Sequence, residues 1–154
     1  NGVTREYINQ YINHDSAELR GVELFFNVPL GPVQLKTNYT YSDSEVTDSK
    51  DSPESVGQPF NNLPRHMFNV GLDWAATDAL GLWAKARYKS KTVEDSDSRI
   101  PSYTLVDIGG LYRLSYRFDV YAGLYNLFDK EVTAEDYGKT LDVRRLNVGM
   151  AFNF

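Results

Sequence analysis

Basic residues recur at alternate positions along this chain, and a row of cations at that spacing can bind anions through oxygen atoms. Lys85, Arg87 and Lys89 fall in "LGLWAKARYKSK", Lys36 in "VQLKTNYTYS", Arg113 and Arg117 flank "LSY", and Arg145 opens "RLNVGMAFNF". Glu23, Asp73, Asp107 and Asp119 share their phase. A guanidinium offers fixed donors to carboxylate and other anionic oxygens, and a basic rim draws such anions in. Tyr121 and Tyr125 lie on the same alternation, placed to stack on an aromatic ligand or to brace a wall by hydrogen bonding. Any one of these charges equally suits a hydrated wall with no ligand.

Other chemistries find less support. The 154 residues contain no cysteine, which excludes disulfide scaffolds, thiolate metal sites and cysteine nucleophiles. His14 and His66 lack a partner at ligand spacing, so no metal site is expected. The acidic runs Asp43, Glu45, Asp48, Asp51, Glu54 and Glu94, Asp95, Asp97 match no calcium loop and read as solvated surface. No GxSxG turn marks a serine nucleophile, and no enzymatic activity is expected. A net charge of −5 argues against nucleic acid as a partner.

The elements that carry these residues alternate with a period of two. The clearest is the last: Leu146, Val148, Met150, Phe152 and Phe154 are apolar, while Arg145, Asn147, Gly149, Ala151 and Asn153 between them are polar or small. The same pattern reads strands at 17–28, 33–42, 65–74, 80–91, 103–114 and 117–128, with a weaker one in "REYINQYIN", about eight in all. Short connections ("PLGP", "AATDA", "SY") alternate with long polar ones at 43–64, 92–102 and 129–142. Nothing shows a helical period or an apolar run long enough for a membrane helix.

Antiparallel hairpins with one long-loop end and one short-turn end are the asymmetry of outer-membrane barrels. The expected fold is therefore all-β, an antiparallel up-and-down transmembrane β-barrel. The apolar faces then meet lipid, and Tyr39, Tyr41, Trp74, Tyr88, Tyr112 and Phe154 stand near strand ends, where aromatic rings fit the interface. The content of Tyr 11, Phe 8 and Trp 2 in so polar a chain agrees. Arg87, Lys89 and Arg145 fall toward the long-loop end of the opposite, lumen face, and Arg113 and Arg117 toward the short-turn end.

"AELRGVEL", "NYTYSDSEV", "LPRH", "GLYNLFDKEV" and the closing "RRLNVGMAFNF", in this order, resemble the C-terminal part of TonB-dependent outer-membrane receptors, nearest to ferric-siderophore receptors of the catecholate and colicin-receptor type. The resemblance implies a barrel of about 22 strands with a plugged lumen, in the outer membrane of a Gram-negative bacterium. It implies a ferric siderophore as transported ligand, no intrinsic cofactor, and TonB acting through a plug that this stretch does not contain. Arg87, Lys89, Arg145, Tyr121 and Tyr125 become lumen ligand-binding candidates, and Arg113 and Arg117 candidates for plug contact. Leu146, Val148, Met150, Phe152 and Phe154 resemble the signal read by the barrel-assembly machinery, which adds an exposed strand by edge pairing. Lipid and lipopolysaccharide complete the expected partners.

The start "NGVTREYINQ", with neither Met nor a signal-peptide pattern, reads as the start of a segment covering the C-terminal part of such a barrel. The rival readings are a complete eight-stranded outer-membrane barrel with a structural or adhesion role, a soluble β-sandwich, and an outer-membrane lipase or protease. The small barrel would have to pair every lumen charge around Trp83 and Tyr121 in a closed interior.

Overall fold

Alternating sequences of this kind form ladders wherever neighbouring strands bring like faces together, and here one sheet takes them all. The computed structural model describes residues 16–94, 99–137, 139–141 and 143–152. The weak strand read in residues 5–13, His14, Asp95, Asp97 and Phe154 lie outside these. The strands are β1 (Ser16–Leu30), β2 (Val33–Asp48), β3 (His66–Ala75), β4 (Leu80–Lys89), β5 (Thr92–Val93), β6 (Arg99–Ile100), β7 (Tyr103–Ser115), β8 (Phe118–Tyr125) and β9 (Arg145–Phe152). A seven-stranded antiparallel sheet runs β1-β2-β3-β4-β7-β8-β9, and β5 and β6 form a separate two-stranded ladder.

Register holds one apolar face together across the whole meander. Leu24 pairs with Tyr39, Tyr39 with Phe68, and Phe68 with Tyr88. Ala84 pairs with Ile108, Ile108 with Leu124, and Leu124 with Leu146. No second sheet or helix packs on this face among the described residues, and Phe26, Trp74 and Val148 stand 53%, 46% and 66% exposed. A soluble domain rarely leaves so large a contiguous apolar surface open, and lipid is the solvent it suits. The sandwich reading fails here, because its second layer is absent among the described residues.

Aromatic side chains gather where the strands end. At the long-loop end the Tyr39 hydroxyl and His66 Nδ1 share a hydrogen bond of 2.9 Å, and Tyr41 lies 5.4 Å from the His66 ring. At the short-turn end Phe118 meets Phe152 edge-on at 6.4 Å.

Three details differ from the sequence reading. β2 does not stop at Ser42, because Asp43–Asp48 keep pairing with Ser16–Arg20. The acidic residues Asp43, Glu45 and Asp48 thus stand on a strand that projects past the apolar band, not in a loop. The connection after β4 holds the β5–β6 ladder, and that after β8 a single helical turn, α1 (Ala134–Tyr137). Arg117 is not on the lumen wall: with Tyr116 it forms the turn between β7 and β8, its guanidinium 4.9 Å above the Tyr116 ring.

The long connections are tied to one another. Asn62 N–H donates to Val93 O at 2.7 Å, joining the first to the second. Ile100, Val132 and Tyr137 form a small buried core between the second and third, flanked by Tyr103 and Leu141.

Candidate functional site

The face opposite the apolar band carries the charges, and strand register decides which of them meet. Lys36 on β2 donates to Asp73 on β3 at 2.8 Å, with both side chains about half exposed. Arg113 and Asp119 pair across β7 and β8 at 3.6 Å near the short turn. Toward the long-loop end, Arg87 on β4 donates from Nη2 to Asp107 Oδ2 on β7 at 3.0 Å. Arg87 stays 55% exposed while the Asp107 side chain is 7% exposed, so the cation faces the lumen and the acid stands behind it.

Asp107 has a second partner. Its Oδ1 accepts the backbone N–H of Asn126 at 2.8 Å, at the residue where β8 ends and the third long connection begins. Asn126 has a φ of 51°, a left-handed conformation that asparagine tolerates better than most residues. Its side chain closes the turn, accepting from Lys130 N and donating to Lys130 O, each at 2.9 Å.

Aromatic rings cover the glycines of this wall. Trp83 on β4 lies across Gly109 and Gly123, where a Cβ would stand 2.4 Å and 3.3 Å from its ring. Tyr121 lies on Gly149 of β9 in the same way, at 2.2 Å. Lys85 Nζ sits 5.4 Å from the Trp83 centroid, and the Arg145 guanidinium 5.1 Å from that of Tyr125. The result is an aromatic floor edged by cations, its Trp83 and Tyr125 rings inclined to each other at 47°.

A hollow of about 640 Å³ opens beside Tyr125, bounded by Lys85, Arg87, Asp107, Tyr125 and Arg145 on the wall and Leu141 and Val143 on the third connection. The structure therefore brings together Arg87, Arg145 and Tyr125 of the residues singled out from sequence. Lys89 is the last residue of β4, level with Tyr103 at the outer rim. Tyr121 lies two repeats of the pleat nearer the short turns than Tyr125, with its ring against Gly149.

Sequence reasoning placed Lys85 on the lumen face but not among the ligand-binding candidates, and it missed Asn126 altogether. An Asn directly after an alternating run and just before "LFDK" is a turn signal that could have found it. No group of metal-ligating side chains occurs among the described residues. Of the titratable groups near the third connection, Lys130 is held above the ordinary lysine value, chiefly by a hydrogen bond to Tyr137.

The final strand presents Leu146, Val148, Met150 and Phe152 on the apolar face, each more than half exposed. β9 is an edge of the sheet, hydrogen-bonded to β8 on one side. Phe154 lies outside the described residues.

Comparison with known proteins accords with this geometry. Residues 1–127 match the family model "TonB dependent receptor-like, beta-barrel". The iron-regulated outer membrane virulence protein of Vibrio cholerae is 37% identical over 150 residues, covering 93% of this chain and 22% of that protein. The ferric enterobactin receptor of Pseudomonas aeruginosa is 30% identical over 138 residues, covering 81% of this chain and 18% of that one. The crystal structure of the siderophore receptor PiuA from Acinetobacter baumannii superposes with a TM-score of 0.79 at 23% identity, over 88% of this chain and 22% of that chain. The chain thus spans about a fifth of the length of these relatives. It belongs to the β-barrel family of TonB-dependent receptors.

Proposed function

We propose that residues 1–154 form a C-terminal part of the wall and outer loops of an outer-membrane receptor for TonB-dependent uptake of ferric siderophores. In this reading the strands belong to a plugged barrel of about 22 strands. TonB acts through the plug, the barrel-assembly machinery reads the last strand through Phe154, and lipid with lipopolysaccharide surrounds the apolar band. The chain performs no bond chemistry of its own, and the siderophore is cargo.

The observation that carries this reading is the hollow edged by Lys85, Arg87 and Arg145 beside Tyr125, whose ring meets that of Trp83 on the wall. Cations at the edge of an aromatic floor complement a ligand that is both anionic and aromatic, as a ferric catecholate is. The names of the Vibrio and Pseudomonas relatives, iron-regulated and ferric enterobactin receptor, support it.

Equilibrium binding of a ferric catecholate siderophore to the full-length receptor tests it. Losing one charge-assisted hydrogen bond weakens binding by about 1.5–3 kcal/mol, roughly tenfold or more. Arg87→Ala and Arg145→Ala are each expected to do so. Unchanged affinity in both variants would remove the hollow from the transport path.

A further inference from the structure

The carboxylate of Asp107 joins two parts of the molecule, the lumen wall and the third long connection. One oxygen holds Arg87, which faces the lumen, and the other holds the backbone of Asn126, where the third long connection leaves β8. That connection is built on the same turn. Leu127 N–H donates to Val106 O at 2.7 Å, Asn126 clasps Lys130, and Asp129 Oδ1 accepts Arg144 N–H at 2.9 Å. Farther out, Val132, Leu141 and Tyr137 pack against Ile100 and Tyr103.

Asp107 is 5% exposed, so its charge rests on these partners rather than on water. Removing the cation takes one partner from a buried carboxylate, and removing the carboxylate takes its acceptor from the backbone N–H at the turn; both are costly. We infer that Asp107 is a positioning residue whose single carboxylate sets the direction of Arg87 and the seat of the third outer loop together. Whatever engages Arg87 then acts on the loop, and whatever moves the loop acts on Arg87, since coupling is reciprocal. The role of Arg87 toward a ligand rests on the function proposed above; the seating of the loop does not.

The test uses the full-length receptor in the outer membrane with a Val132→Cys reporter, because Val132 is 2% exposed and belongs to the loop. The rate of labelling by a membrane-impermeant maleimide then reads how often the loop lifts, against the same receptor without the reporter as background. Asp107→Asn keeps an acceptor for the Asn126 N–H and is expected to label within about twofold of the parent. Asp107→Ala removes the acceptor and is expected to label roughly tenfold faster. Equal rates for the two variants, or an unchanged rate in Asp107→Ala, would overturn the assignment.

Arg87→Met leaves in place every hydrogen bond of the loop described above and guards against a failure of Asp107→Ala to assemble. Coupling predicts labelling at least about threefold faster in this variant, and an unchanged rate contradicts it. A second arm measures affinity for ferric tris-catecholate. Asp107→Asn and Asp107→Ala lose the same charge, so weaker binding by the alanine variant isolates the loop's contribution, and equal affinities would refute the coupling. If the unsubstituted receptor does not bind this probe, the proposed ligand class is wrong, and the labelling rates still decide the role of Asp107.

Discussion

The two faces of the sheet are made by the same strands under different rules. On the apolar face Phe68, Val70, Leu72 and Trp74 of β3 follow one another, and neighbouring strands set mostly apolar or aromatic residues beside them, with Thr37 opposite Val70. On the lumen face, Asn69, Gly71 and Asp73 of that strand sit among specific partners: Asn69 near Asn38 at 3.4 Å, Asp73 bound to Lys36 at 2.8 Å. Hydrocarbon asks only that a side chain be apolar and that the backbone be paired within the sheet. A wet wall tolerates many residue types and gains order from particular pairs. One face is specified by pattern, the other by register.

The largest expected effect comes from placing the same charge on either side. Val70→Arg puts a guanidinium into lipid near the middle of β3 and is expected to destabilise the full-length receptor by about 2–4 kcal/mol. Asn69→Arg, one residue away on the lumen face and directly opposite Arg87, is expected to cost less than about 1 kcal/mol. Denaturant unfolding in lipid vesicles measures both, and equal losses would erase the distinction between the faces.

Within the lumen face, packing should separate two glycines. A Cβ at Gly109 would fall 2.4 Å from the Trp83 ring and 2.6 Å from Ala122 O, whereas Gly81 has open space. Gly109→Ala is expected to cost about 1–3 kcal/mol by overpacking, with Trp83 displaced. Gly81→Ala is expected to be neutral within about 0.5 kcal/mol. Trp83 fluorescence together with an unfolding curve reads both, and a neutral Gly109→Ala would show that the ring has room to leave the wall.

The smallest effect is electrostatic and lies in the third connection. Lys130 is held above its ordinary value by its hydrogen bond to Tyr137, so the seated loop binds this proton more tightly than the unfolded chain does. The resulting stabilisation is complete below the ordinary lysine pKa and disappears as pH rises through the raised one. Reductive 13C-methylation followed by NMR should give Lys130 a titration midpoint above that of the exposed lysines. Tyr137→Phe should return it to theirs, and a Lys130 midpoint already among them would contradict the contact.

The strand order, the long and short ends and the apolar face were all legible because a period of two survives wherever lipid imposes it. The end of β2 was not. Asp43–Asp48 are acidic and read as loop, yet pairing with Ser16–Arg20 continues above the membrane, where polarity carries no signal about strand or loop. The β5–β6 ladder is two residues long on each side and has no period to detect. Arg87, Arg145 and Tyr125 could be placed on the lumen face, but not brought together, by alternation alone. That needed the register of β4 on β7 and the turn at Asn126, which pairs a buried acid with a backbone N–H. Tyr121 shows the converse: its phase was legible, but the contact of its ring with Gly149 on the neighbouring strand was not.

Lipid contact along one side of the meander is the claim on which the rest depends, and spin labels on β3 of the full-length receptor in bilayers test it most directly. Single cysteines from Met67 to Trp74 each carry a nitroxide whose exposure to oxygen and to a polar nickel complex is compared. Oxygen access should peak at 68, 70, 72 and 74, with nickel access highest at 67, 69, 71 and 73. A profile without that alternation, or with the two reagents exchanged, would contradict it.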